Sequence, residues 1–350
     1  MRQRIILRAD GNATIGFGHV YRLLALADIL KEKFYCFLAI NRPDAFIKAQ
    51  IIRAGVPIIE IDTDKTSFVP DQITSENQVV FDLQGLVNST DILVVDGYQF
   101  GLKYQEGLEQ TGCKQVYIDD MLASYPYADA VINHAPGIQT PNNLTHTPLC
   151  LGLQYAILRK PFFKPIKPKA PDGRVAFISL GGSDYFGFTL HICQLLLATD
   201  YFNRIHVLCT TRFEERSLDQ LKQLEEKFSV TLHFDLGAQE IVSVMDTCTH
   251  AFVSASTVLI ESYFRGLVCF AGYYSKNQLL IYNGFVQEKL ALGMGDFNTV
   301  SAEEINRLLD LSDATVEKEQ HQITDSKANL IALFESVQLT NNHDFLTTRK

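Results

Sequence analysis

The sequence predicts an α/β protein made of two doubly wound, Rossmann-like domains. Three observations carry this. Short apolar runs alternate with segments of helical spacing along most of the chain. Those runs are apolar on both faces, as strands of a parallel sheet covered by helices on each side must be. The alternation breaks once, at the run RKPFFKPIKPKAPDGR (residues 159–174) with its four prolines, and then resumes. A length of 350 residues suits two domains. The expected division is an N-terminal domain over 1–163, a linker over 164–173, a C-terminal domain over 174–335 and a polar tail over 336–350.

In the first half RIILRAD reads as a strand, and Val20–Leu30 repeats apolar residues at helical spacing. YCFLAI, VPIIEI, DILVVD, QVYIDD and DAVINH follow as strands. The second half repeats the scheme with RVAFISL, RIHVLCT, VTLHFDL, HAFVSA and LVCFAGY, and Ser217–Phe228 is its clearest helix. Beyond Ser301 the chain is mostly helical. Doubly wound folds bind ligands outside the carboxyl ends of their strands, here expected in a cleft across which the two domains face.

The composition narrows the function. Hydrophobic residues make up 47% and charged residues 20%, enough for large cores and too apolar for disorder as the main state. A net charge of −9 argues against nucleic-acid binding, which needs clustered Lys and Arg. Small anions remain possible ligands. The seven cysteines are scattered, without a C-x-x-C pair, and read as reduced core thiols. The apolar run before Arg8 is too short for a signal peptide, and no later run is long enough to cross a membrane. A soluble, cytoplasmic protein is expected, with no stable membrane association.

The stretch ATIGFGHVYRLLALADIL (Ala13–Leu30) turns the first strand into the first helix. The strand ends near Asp10, and the loop carries Gly16 and Gly18. Glycines admit close approach of a ligand, and the first helical amides are unpaired donors, so an anion or polar ligand is expected at this turn. The stretch is neither a G-x-G-x-x-G fingerprint nor a Walker loop. His19 opens the helix. The partial positive charge there, and Arg22 one turn on, favour a neutral imidazole able to accept a proton, as a general base must.

The second half supplies matching parts. SLGGSD (Ser179–Asp184) follows a strand and offers a glycine loop, Gly181, Gly182 and Ser183, for a phosphate. SASTVLIESYFRG puts Ser256 and Thr257 at a helix start, with Glu261 about one turn further in. Small hydroxyls and amides there suit a diphosphate, and the carboxylate suits ribose hydroxyls. Lys276–Gln278 adds polar groups, Asn277 and Gln278 among them, at the same sheet edge.

Other signals read as structural. DTD (Asp62–Asp64) lacks companion metal ligands and reads as a turn. Asp119 and Asp120 are neighbours at a strand end and point to opposite faces, so they make a poor carboxylate pair for glycoside hydrolysis, although one of them suits a cap. His134 ends its strand on the ligand side, where it could support a site from behind. His191, His206, His233 and His250 show no ligand spacing, and no histidine is placed to activate Cys209 or Cys269.

Taken in order, I-G-x-G-H-x-x-R, D-x-Y at Asp96–Tyr98, YAILR at Tyr155–Arg159, GGSD, SAST…E and KNQ resemble the UDP-sugar hydrolases of pseudaminic acid biosynthesis, relatives of MurG-type glycosyltransferases with the GT-B fold. The resemblance runs from Leu7 to about Asn283. It implies an enzyme without cofactor or metal, acting on UDP-2,4-diacetamido-2,4,6-trideoxy-β-L-altrose. Water would attack the anomeric carbon with inversion, releasing UDP and the free sugar. It further implies that His19 activates the water and that Tyr98 lies near the sugar. Glu261, Ser256, Thr257, Asn277 and Gln278 would hold UDP. Asp10, Gly16, Gly18 and Arg22 are expected to contact substrate from the first domain. Two other functions stay open: a GT-B glycosyltransferase using a UDP-sugar donor, and a non-catalytic nucleotide-sugar binder.

Overall fold

The computed structural model describes residues 2–12, 16–62, 81–139, 148–165, 173–182, 184, 186–314 and 325–339. Ser183, Thr63, Asp64, residues 166–172 of the proline-rich run and residues 340–350 lie outside them. The chain divides into two compact units. One comprises residues up to 134, 138–157 and 325 onward, and the other 135–137 and 158–324.

The first unit is built on a parallel sheet. Its strands are β1 (Arg4–Arg8), β2 (Tyr35–Asn41), β3 (Ile58–Ile61), β4 (Ile92–Asp96), β5 (Lys114–Ile118), β6 (Ala130–Asn133) and β7 (Leu149–Leu151), in the order β3-β2-β1-β4-β5-β6-β7. Every pairing is parallel, with Leu7 beside Leu38 on one side and Val94 on the other. The two-sided apolar runs explain this: Ile5, Ile6, Leu7, Leu93 and Val94 are wholly buried, covered on both faces. Helix α1 (Gly18–Leu30) follows β1, while α2 (Ala45–Arg53) and α3 (Leu102–Glu109) fill later crossovers. Chain order reverses between β1 and β4, the switch point of a doubly wound sheet.

The second unit repeats the plan. Strands β8 (Val175–Ser179), β9 (Arg204–Cys209), β10 (Val230–Phe234), β11 (His250–Ser254), β12 (Val268–Tyr273) and β13 (Leu292–Asp296) lie in the order β10-β9-β8-β11-β12-β13, all parallel. Helices α4 (Phe188–Ala198), α5 (Glu215–Lys227), α6 (Ala238–Met245), α7 (Thr257–Phe264), α8 (Leu279–Gln287) and α9 (Ala302–Ala314) alternate with them. Phe177, Phe252 and Phe270 are fully buried in the sheet, each worth roughly 1.5–3 kcal/mol of burial. The switch point falls between β8 and β11.

Two boundaries differ from the sequence expectation. Helix α10 (Ser326–Leu339) belongs to the first unit, although residues up to 335 were assigned to the second domain. The reason is packing: Phe334 meets Phe34 edge-on at 6.3 Å, Lys33 pairs with Glu335 at 3.0 Å, and Asn329 donates to the Gln154 carbonyl at 3.0 Å. Residues 158–163 in turn belong to the second unit, where the 3₁₀ turn Lys160–Phe163 buries Phe162. Among the described residues all seven cysteines are free and six are buried, Cys36 being half-buried. No helix there is long and apolar enough to cross a membrane.

Candidate active site

At the switch point of the first sheet, β1 leads through the glycine turn into α1. The Gly16 amide donates to the Asn12 carbonyl at 2.8 Å and closes the turn at a φ of +81°. Gly18 is the first helical residue and exposed, and no atom lies within 4 Å of where a Cβ would stand. His19 follows, its side chain 11% exposed. Its Nδ1 lies 2.7 Å from Oδ1 of Asp96, the last residue of β4. Asp96 is fully buried; burial pushes its carboxyl up, but Arg22 and then His19 outweigh this and hold it below the usual carboxylate range. An ionised Asp96 only accepts, so Nδ1 carries the proton and Nε2 presents a lone pair. Among the described residues Nε2 has no hydrogen-bond partner.

Arg22, 6% exposed, ties this pair to a second carboxylate. Its Nε and Nη2 donate to Asp96 at 2.8 and 2.7 Å, and its Nη1 and Nη2 donate to Asp120 at 2.6 and 3.0 Å. Asp120 is buried, yet Arg22 keeps its carboxyl well below the ordinary range. The Tyr98 hydroxyl donates to Asp120 at 3.1 Å, and its ring meets the His19 ring edge-on at 4.9 Å. Gly97, at φ +150°, makes the bend that allows this: a Cβ there would stand 2.7 Å from the Gln99 side chain. Asp119 turns the other way and caps the next loop, accepting from the Met121 and Ala123 amides. The two neighbours diverge just beyond the end of β5.

Arg22 and Asp10, both expected to contact substrate, each make buried ion pairs within the first unit. Arg22 spends its guanidinium on two buried carboxylates and so positions Asp96 and Asp120. Asp10, 5% exposed, accepts from Arg8, from the Asn41 amide at 3.0 Å and from Gln99 at 3.2 Å. Arg8 is wholly buried and also pairs with Asp82 at 2.7 Å. The Asp10 carboxylate is needed there, since removing one partner from a buried ion pair costs ~3–5 kcal/mol. Sequence reasoning read Asp96 only as part of the D-x-Y motif and offered Asp120 only as a candidate cap. Neither reading gave them the task of orienting His19 and Arg22. His134, at the end of β6, is 1% exposed with Nε2 3.9 Å from Asp120, and neither ring nitrogen has a hydrogen-bond partner. Burial, then Arg22, pushes it down to about 4.

The second unit gathers the other candidates at its own switch point. Gly181 and Gly182 follow β8, and Ser183 lies outside the described residues. Ser256 and Thr257 follow β11 at the start of α7. The Ser256 hydroxyl makes no cap and lies 3.2 Å from the Ser254 hydroxyl. Glu261, 3% exposed, is gripped by Arg159, whose Nε and Nη2 each donate to one carboxylate oxygen at 2.8 Å. Asn277 accepts from the Ser275 hydroxyl. Gln278 is buried and accepts from the Tyr274 amide at 2.9 Å, shaping the loop after β12. Asp62 of the DTD run pairs with Arg42. Among the described residues no group of three or more metal-ligating side chains occurs.

No family model matches the chain. It is 23% identical over 284 residues to a UDP-2,4-diacetamido-2,4,6-trideoxy-beta-L-altropyranose hydrolase of Campylobacter jejuni, covering 79% of this chain and 93% of that protein. It is 22% identical over 300 residues to the uncharacterized protein MJ1062 of Methanocaldococcus jannaschii, covering 81% of this chain but 58% of that longer protein. Among solved structures, MurG of Acinetobacter baumannii superposes with a TM-score of 0.59 at 12% identity, over 97% of this chain and 99% of that one. A putative UDP-N-acetylglucosamine 2-epimerase of Listeria monocytogenes gives 0.61 at 12% identity, over 100% and 98%. The fold is GT-B.

Proposed function

We propose that this protein hydrolyses a UDP-activated acetamido sugar, with UDP-2,4-diacetamido-2,4,6-trideoxy-β-L-altrose as the candidate substrate. The single observation that carries the reading is the Asp96–His19 pair at the switch point of the first sheet. A carboxylate fixes the tautomer of an imidazole whose other nitrogen is left to accept a proton, which is the arrangement of a positioned general base. The Campylobacter relative, named for this hydrolysis, and the likeness of the motifs support the choice of reaction.

His19 Nε2 takes a proton from water as the water oxygen forms its bond to the anomeric carbon. The bond from that carbon to the diphosphate oxygen breaks, and the electron pair leaves with UDP. Attack opposite the leaving group inverts the anomeric centre. Asp96 stabilises the imidazolium that forms, Arg22 holds Asp96 in place, and Tyr98 borders the sugar. In the second unit, Gly181, Gly182 and Ser183 with Ser256 and Thr257 take the diphosphate, Glu261 the ribose, and Asn277 and Gln278 line the same loop edge. Gly16 and Gly18 admit the sugar close to the helix start. Transfer to an acceptor hydroxyl is the second reading, consistent with MurG sharing the fold.

Incubation with a panel of UDP-acetamido sugars, followed by NMR, tests the reading. Expected are UDP and a free, inverted sugar formed with water alone. UDP release only on adding an acceptor would make the protein a transferase, and binding without turnover of any panel member would make it a binder.

A further inference from the structure

Two loops of the second unit converge on the glycine pair after β8, one from each side. From the β12 side, the Tyr274 hydroxyl stands 2.9 Å from where a Cβ of Gly181 would lie, so only glycine, here at φ +128°, fits beneath it. The Tyr274 ring is pinned by stacking on Phe188, the first residue of α4, at 6.1 Å. From the β9 side, the Thr210 hydroxyl donates to the Gly182 carbonyl at 2.5 Å and accepts from the Arg212 amide at 3.2 Å. This short turn carries the Arg212 guanidinium to the loop, its Nη2 3.7 Å from the Cβ position of Gly182.

We propose that Arg212 is a diphosphate-binding residue, resting on the reading above that the Gly181–Gly182 loop receives a nucleoside diphosphate. The electrostatics call for such a group. The chain carries a net charge of −9, and a diphosphate brings further negative charge. Asp184, next to the loop, accepts from the Thr189 amide and adds an anion on the wrong side of the balance. Loop amides alone are neutral donors, whereas a guanidinium presents paired N–H groups matched to phosphate oxygens. Lys276, exposed on the β12 loop, is a point charge and lacks that geometry.

The test is calorimetry of UDP and uridine binding to the full chain and to its Arg212→Ala and Arg212→Lys variants. Loss of a charge-assisted contact to phosphate predicts that Arg212→Ala weakens UDP about 10- to 100-fold and leaves uridine unchanged. Arg212→Lys should recover part of the loss, and added salt should weaken UDP binding more in the parent than in Arg212→Ala. Unchanged UDP affinity in Arg212→Ala overturns the proposal. An equal fall for UDP and uridine also overturns it, because the residue would then act through the shape of the loop. Failure of the parent protein to bind UDP at all would instead refute the nucleotide-sugar reading, and this assignment with it.

Discussion

His19 and Asp96 stand 77 residues apart in sequence and 2.7 Å apart in space, the imidazole Nδ1 against a carboxylate that is itself fully buried. The carboxylate is shared: Arg22 donates to both of its oxygens and carries the connection on to Asp120 and Tyr98. One face of one helix thus places a base, and the cation that fixes its orienting anion, three residues apart.

Replacing His19 by Asn or Phe should leave folding and UDP affinity intact while turnover drops by ~10²–10⁴-fold, the usual contribution of a general base. Steady-state kinetics with calorimetry for UDP checks this. Hydrolysis in H₂¹⁸O should label the anomeric hydroxyl; label in UDP would mean attack at phosphorus. Full turnover in either variant would leave the glycine turn as a plain strand-to-helix connection.

Asp96→Asn keeps the shape but supplies an amide where Nδ1–H and Arg22 both need an acceptor. Turnover should fall roughly 10²–10⁴-fold as the ring loses its tautomer. Stability should fall by about 1.5–3 kcal/mol, because Arg22 loses charge-assisted bonds to Asp96 while keeping Asp120. Urea unfolding and kinetics on the same sample separate the two effects. A variant of parental stability would contradict the ion-pair network.

His134 makes a pH-dependence prediction. Its folded pKa of about 4 lies below the ordinary histidine value near 6.5, so the unfolded chain binds the proton first as pH falls. Stability is therefore full above about pH 6.5 and is lost progressively toward pH 4, by at most ~3 kcal/mol from this one group. His134→Asn should flatten the unfolding free energy across that window. His206, also lowered to about 4 and bonded to His233, contributes with the same sign and stays as background. An unchanged slope in His134→Asn would refute the assignment.

Glu261→Ala should weaken UDP by about tenfold, on the scale of one lost charge-assisted hydrogen bond, with turnover at saturation nearly unchanged. Because Arg159 holds both Glu261 oxygens, a double-mutant cycle with Arg159→Ala should show coupling between the two. Independent, additive losses would mean that the pair does not act as a unit on the nucleotide.

Chelation with EDTA should leave turnover intact, since the proposed diphosphate contacts are amides, hydroxyls and guanidinium. Turnover lost on chelation and restored by Mg²⁺ or Mn²⁺ would reopen the Asp62–Asp64 run as a metal motif.

Local signals made much of this legible. Two-sided apolar runs identify the strands of both parallel sheets except β7 and β13, glycines mark the turns after β1 and β8, and His19 stands at a helix start where its neighbours in sequence are its neighbours in space. The carboxylates behind it left no such signal. Asp96 ends an apolar strand and Asp120 stands two residues beyond another, as many capping aspartates do, and nothing in the local pattern says that both turn toward α1. Nor does a string of letters show that Arg22 and Asp10 are buried in ion pairs, because an exposed and a buried charge look alike there.

By itself, then, the sequence determined most of the elements, the parallel and doubly wound character of both sheets and the glycine turns after β1 and β8, because hydrophobic period and glycine placement act over a few residues. The tertiary structure alone decided the pairings: His19 with Asp96, Arg22 with Asp120 at 98 residues' separation, Glu261 with Arg159 at 102, and α10 with the first unit. Each depends on which strand ends lie side by side once the sheet order reverses at its switch point. That is a property of the packed chain, where burying a charge is tolerated only if its partner arrives from elsewhere.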